Sequence, residues 1–198
     1  MHAHRDDVGA RMGMWLFLFT ELLLFGGLFF IYSVYRFINQ EQFHLAAKEL
    51  NPIIGTFNTI ILLTSSLTMA LAIAAIQKKN KGLSIFFQLI TILLAFGFLI
   101  NKFFEWRVKL HHDLFPGSEV LLNKPKGEIL FYGLYYVMTG LHGLHVIIGI
   151  VLIAFMTRLT IKNIINQDSY VKLEAAGLYW HLVDIIWIFL FPLFYLIT

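Results

Sequence analysis

The sequence contains no cysteine and few charged side chains. With zero Cys among 198 residues, disulfide bonds and metal sites with thiolate ligands are excluded. Only 14% of the residues are charged, whereas 59% are hydrophobic and the mean hydropathy is +0.75. This composition is too apolar for an ordinary soluble domain and is typical of a polytopic membrane protein. The formal net charge of +3 comes from residues grouped in short loops, which favours lipid headgroups as partners and argues against nucleic acid.

Motifs for common enzyme chemistries are also missing. The sequence has no nucleophile beside a base, no phosphate-binding loop and no nucleotide-binding motif. The N-terminus, MHAHRDD, lacks the basic region that precedes the apolar run of a signal peptide. We therefore expect the first apolar segment to be retained as a membrane span.

Five apolar runs reach the length of about 20 residues that a helix needs to cross the hydrocarbon core. They predict an all-α fold, a polytopic membrane helix bundle with five transmembrane helices that forms a single transmembrane domain over residues 1–198. The predicted spans lie near residues 12–35, 53–77, 83–104, 129–157 and 178–197. The second and third spans are separated by a short loop, which predicts an antiparallel hairpin. Lys and Arg are divided almost equally between the two membrane sides, so charge does not orient the bundle.

Glu21 lies inside the first span, in the run WLFLFTELLLFGGLFF, with no basic residue nearby in its own helix. At a rise of 1.5 Å per residue it lies about 15 Å beyond Arg11 along the helix. A carboxyl at this depth is either neutral or hydrogen-bonded to a polar partner. It either ties two helices together or takes part in proton handling.

Four more ionisable side chains lie in the last two spans. His142 and His145 stand one turn apart in TGLHGLHVIIG, and His181 and Asp184 stand one turn apart in YWHLVD. Ionisable groups persist in lipid where they face protein, so we expect both pairs to face the interior of the bundle. Counted along the helices, these four groups and Glu21 can gather in one half of the bundle as a buried layer of acids and imidazoles.

Two functional interpretations of this layer compete with a structural one. Histidines and carboxylates in this number would suffice for a zinc or di-iron site. Carboxylate-bridged di-iron bundles, however, use Glu-x-x-His pairs on two helices, and no span contains one. His142 and His145 are also too close along one helix to ligate two stacked haems. We therefore predict no metal site and no catalytic residue in this chain, and interpret the histidines as core residues that are hydrogen-bonded between helices.

Polar residues also recur in the second span. Asn58, Ser65 and Thr68 follow each other at near-helical spacing, which predicts a stripe of helix–helix packing. Cross-helix hydrogen bonds of this kind contribute about 1 kcal/mol or less each. A transport path is the alternative, but such paths usually need broken helices or internal repeats, and the sequence has neither.

Four segments of the sequence resemble subunit III of the haem–copper cytochrome c oxidases. They are WLFLFTELLLFGGLFFIYSVYR, NTIILLTSSLTMALA, YYVMTGLHGLHVIIG and EAAGLYWHLVDIIWIFLFPLFYL. The resemblance covers all five spans in order. Longer members of that family have seven helices, and this chain resembles the short form that lacks the first two. Leu182 stands where the usual motif reads YWHFVD.

The resemblance implies a non-catalytic subunit of a proton-pumping terminal oxidase in aerobic respiratory electron transport. Such a subunit stabilises subunit I and supports proton uptake. It implies that this chain binds no haem or copper, which belong to partner subunits, and that its partners are chiefly subunit I, then subunit II, other subunits and membrane lipids. It also implies a cell inner membrane location, with a cytoplasmic N-terminus and a C-terminus outside.

Individual residues match positions of that family. The buried polar residues of its motifs, with structural or proton-buffering roles, correspond to Glu21, His142, His145, His181 and Asp184. Arg158 falls near the basic position where the family meets an anionic lipid headgroup, which implies a structural phospholipid, and Glu105 falls where the family has an acidic residue. Since the first two helices are missing, half of the lipid cleft of the longer members is missing too.

Several alternatives remain at the level of the sequence. A quinol oxidase or a nitric-oxide-reductase-associated complex could use a similar chain, because the electron donor is selected by other subunits. An independent membrane metal enzyme or transporter that uses the acid–imidazole layer is a further alternative.

Overall fold

The computed structural model describes residues 7–197, which form seven helices and no strand. Five of the helices are long and apolar enough to cross a membrane. The helices are α1 (Asp7–Ile38), α2 (Gln40–Ala47), α3 (Pro52–Gln77), α4 (Lys81–His111), α5 (Glu119–Leu122), α6 (Lys126–Ile161) and α7 (Val171–Tyr195). The predicted all-α fold with five membrane-spanning helices is confirmed, and the chain is a multi-pass membrane protein.

The third long helix extends well beyond its predicted span, and the last long helix begins at Val171 and not near residue 178. We expected the apolar span to end near residue 104, but α4 continues to His111. Lys102, Glu105 and Lys109 interrupt the apolar run in the sequence, yet all three are buried on the inner side of the helix. Charged residues that are paired inside a bundle do not mark the end of a helix, so apolar composition alone underestimated its length.

The α3–α4 hairpin is confirmed. Asn51 begins α3, because its side chain accepts a hydrogen bond from the Ile53 amide at 2.9 Å, and Pro52 suits the first turn. Between the helices, Lys79 adopts a φ of 64° and turns the chain back. The two helices pack along their length and are joined by a hydrogen bond of 2.8 Å between the hydroxyls of Thr68 and Thr91.

The core lies around α6 and α7. α7 packs against α1, α3 and α6, and α6 also contacts α2 and α4. Gly149 permits the close approach of α6 and α7, since a Cβ at this position would lie 2.6 Å from the Trp180 ring. α1 is the most peripheral long helix, because only 11% of its apolar window is buried.

Candidate functional site

The Glu21 carboxylate contacts an imidazole from another helix. Glu21 Oε2 lies 2.9 Å from His145 Nε2, and the exposed fractions of the two side chains are 15% and 10%. The other ring nitrogen, Nδ1, lies 2.7 Å from the carbonyl oxygen of Leu141. Phe25 contacts the ring edge-on at 5.3 Å between centroids, and Tyr179 donates a hydrogen bond of 3.2 Å to the backbone carbonyl of His145. The pair therefore lies where α1, α6 and α7 meet.

This geometry leaves one proton to be placed. A carbonyl oxygen only accepts, so the His145 nitrogen that faces Leu141 carries a hydrogen. The proton between Nε2 and the Glu21 carboxyl then belongs either to the acid, as a neutral pair, or to the ring, as an ion pair. The Glu21–His145 pair can thus hold one proton inside the membrane-spanning part of the bundle.

His181 makes a separate contact. Its Nδ1 lies 2.7 Å from the Ser66 hydroxyl, which joins α7 to α3. Asp184, one turn further along α7, is only 2% exposed. Its carboxyl faces the same Ser66 hydroxyl.

His142 is fully buried among aromatic rings. Its ring centroid lies 5.5 Å from that of Phe98 and 5.4 Å from that of Trp187. Neither of its nitrogens is hydrogen-bonded within the described residues. The five polar groups that the sequence singles out therefore do not form one hydrogen-bonded layer. The structure joins Glu21 directly to His145, and His181 and Asp184 share the Ser66 hydroxyl. Within residues 7–197 no group of three or more His, Cys, Asp or Glu side chains is placed to hold a metal ion.

A second buried polar cluster is larger than the first and was missed by sequence reasoning. Lys102 Nζ lies 3.1 Å from Glu105 Oε2, 3.2 Å from the Tyr135 hydroxyl and 2.8 Å from the Tyr195 hydroxyl. The two tyrosines in turn donate hydrogen bonds of 2.7 and 2.5 Å to Glu105 Oε1. This Lys102 cluster joins α4, α6 and α7. The signal for it was the three-residue spacing of Lys102 and Glu105, which puts both on one helix face.

A third group of charges lies outside the spans, where α6 begins. Lys124 forms ion pairs with Glu49 at 3.1 Å and with Glu128 at 2.9 Å. Partial burial opposes ionisation of Glu49, but hydrogen bonds from Tyr132 and Lys124 outweigh it, so the pKa of Glu49 lies below its usual value. Partial burial likewise opposes the charge on Lys124, and the two carboxylates outweigh it and raise the pKa of Lys124.

The predicted packing stripe on α3 is confirmed. Asn58 accepts a hydrogen bond of 3.0 Å from Asn101 of α4, and Ser65 accepts one of 3.1 Å from the Trp180 indole of α7.

Arg158 lies exposed in the last turn of α6 and makes no ion pair within residues 7–197. Its side chain is accessible to a headgroup, and its predicted lipid contact stays a prediction.

The sequence matches a known family over its whole length. The model of the family described as cytochrome c oxidase subunit III matches residues 1–198. Cytochrome c oxidase subunit 3 of Thermostichus vulcanus is 35% identical over all of this chain and 92% of its own length.

Two relatives carry other names. The haem–copper oxidase subunit I+III of Aeropyrum pernix is 31% identical over 94% of this chain, which spans 22% of that longer protein. A probable quinol oxidase subunit 3 of Staphylococcus saprophyticus is 28% identical over 94% of this chain and 88% of its own length. The similarity therefore extends to oxidases named for different electron donors.

Proposed function

The chain belongs to the cytochrome c oxidase subunit III family, and from this premise we propose that it is the non-catalytic subunit of a proton-pumping haem–copper oxidase. Its role is to stabilise subunit I and to support proton uptake during turnover. Family membership makes the chain part of an oxidoreductase complex. We also propose that this chain has no active site of its own and that haem and copper are bound by the partner subunits.

The observation that carries the proposal is the contact between Glu21 and His145, 2.9 Å apart on two different helices. It supports a structural role because it fastens the peripheral α1 to α6. It supports a role in proton supply because the two side chains of this contact can share one proton. The hydrogen bond between His181 and Ser66 supports the structural role in the same way for α3 and α7.

Subunit I is the partner that we propose as the main contact, with subunit II and lipids as further neighbours. The name of the Aeropyrum pernix relative, which joins subunits I and III in one chain, supports a close association of the two. We place the complex in the cell inner membrane, with the N-terminus of this chain in the cytoplasm and its C-terminus outside.

The test is a purification in mild detergent through a tag on this chain. We expect haem and copper in the visible spectrum and in metal analysis, together with a large multi-histidine subunit identified by mass spectrometry. Purification of this chain alone, or with bound iron or zinc and no partner, would overturn the proposal.

A quinol oxidase is the second candidate, favoured by the relative from Staphylococcus saprophyticus. The partner that co-purifies separates the two. A subunit with a dicopper cysteine motif would indicate cytochrome c as the donor, and a subunit without that motif would indicate a quinol.

A further inference from the structure

A pocket lies at the membrane surface where α1 ends, on the opposite side from Arg158. It has a volume of about 450 Å³ and lies between α1, α2 and the end of α7. Its polar lining includes Arg36, Gln40 and His44, and its apolar lining includes Phe37, Leu193 and Ile197. A pocket with one polar and one apolar half, at the level of the lipid headgroups, suits an amphiphile.

The pocket carries a positive charge. Arg36, in the last turn of α1, lies beside the Tyr32 hydroxyl and makes no ion pair within residues 7–197. No acidic side chain of the described residues lines the pocket. A guanidinium without a carboxylate partner matches a phosphate group, which it can bind through two parallel hydrogen bonds.

The walls of the pocket are fixed by contacts beneath it. Tyr32 is fully buried and donates a hydrogen bond to the Leu193 carbonyl, which ties α1 to α7. Phe43 of α2 packs edge-on against Tyr32 at 5.6 Å and against Phe131 of α6 at 5.4 Å. The polar side chains of α1 and α2 therefore project from helices that are already docked, which lowers the entropic cost of binding a ligand.

An apolar surface continues from the pocket into the membrane. Within two turns before Arg36, Phe30 is 71% exposed and Val34 is 42% exposed. Across the groove, Phe189 of α7 is 57% exposed and lies 6.1 Å from Phe29 of α1 between ring centroids. Two acyl chains can lie along this α1–α7 face while their headgroup occupies the pocket.

We propose that the pocket formed by Arg36, Gln40 and His44 binds the phosphodiester of a phospholipid, with the acyl chains along the α1–α7 face. The charges of the pocket also select the headgroup. Because the described lining offers no carboxylate to a cationic headgroup, the preferred lipid carries no ammonium, as in phosphatidylglycerol. This site lies at the other end of the bundle from Arg158.

The test compares variants of the complex purified in mild detergent through this chain. Retained phospholipids are counted by mass spectrometry in the wild type, in Arg36→Gln and in Arg107→Gln, whose arginine is exposed near the end of α4 on the same membrane side and lines none of the pocket. We expect Arg36→Gln to lose one phosphatidylglycerol per chain and Arg107→Gln to keep it. Equal lipid content in all three proteins would overturn the proposal.

A second measurement identifies the ligand. In bilayers of phosphatidylcholine, spin-labelled phosphatidylglycerol should show a motionally restricted fraction that Arg36→Gln weakens about tenfold, as expected for loss of a charge-assisted hydrogen bond. Gln40→Leu should weaken it less and serves as the test if Arg36→Gln does not fold. Displacement of the labelled lipid by millimolar inorganic phosphate would overturn the lipid assignment in favour of a free anion. Loss of another subunit from Arg36→Gln, with unchanged lipid, would show that Arg36 pairs with a protein carboxylate and would likewise overturn it.

Discussion

Glu21 and His145 lie on different helices, 2.9 Å apart, and the orientation of the imidazole is set by the Leu141 carbonyl on its other side. The carboxyl is therefore not isolated in the apolar run, as the first span alone would suggest. It is the main polar link between the peripheral α1 and α6 described above. Two residues far apart in the sequence thus provide each other with a hydrogen-bond partner inside the bundle.

A double-mutant cycle measures this link. We expect Glu21→Gln and His145→Gln each to destabilise the bundle, and the double variant to cost less than the sum, with a coupling energy of about 1 kcal/mol. The free energy of unfolding is measured in mixed micelles with increasing denaturing detergent. Strictly additive effects would contradict a direct interaction between the two side chains.

Substitutions in the Lys102 cluster should change the free energy of unfolding more than those at Glu21 and His145. Lys102 and Glu105 have side chains that are only 9% and 7% exposed, so removing one partner leaves a buried charge. We expect Lys102→Met or Glu105→Gln alone to destabilise the bundle by about 3–5 kcal/mol, and the double variant to cost less than either. Lys124→Gln, at a more exposed ion pair, serves as the control and should change the same unfolding free energy by about 1 kcal/mol or less.

Two glycines of α6 form a matched pair. A Cβ at Gly149 would lie 2.6 Å from the Trp180 ring, whereas a Cβ at Gly143 would meet no atom within 4 Å. Gly149→Ala should therefore destabilise the α6–α7 contact by about 1–3 kcal/mol. Gly143→Ala should be neutral or slightly stabilising, because alanine favours the helix. Equal thermal stability of the two variants would contradict the close packing at Gly149.

His181→Ala tests the hydrogen bond between α7 and α3. We expect less intact complex after purification, because the contact of His181 with Ser66 is lost, and an unchanged haem absorption spectrum in the complex that remains. Ile185→Ala, at an exposed position one turn further along α7, is the control. An intact complex with altered haem absorption would contradict the structural role of His181.

The loop charges predict a pH dependence. The pKa of Glu49 is lowered in the folded chain, so its ion pair with Lys124 stabilises the fold above the unfolded pKa of Glu49 and is lost as the pH falls through the folded value. The pKa of Lys124 is raised in the folded chain. Its contribution to stability is therefore present below its unfolded pKa and is lost as the pH rises through the folded value. Unfolding followed from pH 3 to 11 should show a small loss at the acid end, which Glu49→Gln removes.

The Glu49→Gln comparison has a clear internal control. Since the Glu49 side chain is 41% exposed, solvent screens its ion pair and the effect should stay within about 1 kcal/mol. Between the two transitions, wild type and variant should differ by a constant amount. A pH dependence that is identical in both proteins would contradict the assignment to Glu49.

The five spans could be predicted from the sequence because the requirement for about 20 apolar residues is strict in a membrane. The hydrogen-bond partners of the buried polar groups could not be predicted from the sequence. Glu21 finds His145 across 124 positions of sequence, and this depends on the rotation of two helices, which hydropathy does not report. For the same reason His142 and His145, one turn apart on the same helix, have different neighbours. Two aromatic rings contact His142, whereas a carboxyl contacts His145.

The predicted end of the third span was wrong for a different reason. Lys102 and Glu105 have the composition of a membrane interface, and a sequence pattern cannot separate an interfacial charge from one that is neutralised inside a bundle. Their spacing was the available signal. The pocket around Arg36 was not predicted either, because it depends on α2, whose eight residues are too few to cross a membrane.

The ion pair of Lys102 and Glu105 has a consequence for biosynthesis. Both residues belong to α4, one turn apart, whereas the tyrosines that complete the cluster come from α6 and α7, which are translated later. The two charges can therefore neutralise each other as soon as α4 is helical. These two residues can then enter the bilayer without net charge, and their ion pair is already formed when α6 and α7 are added.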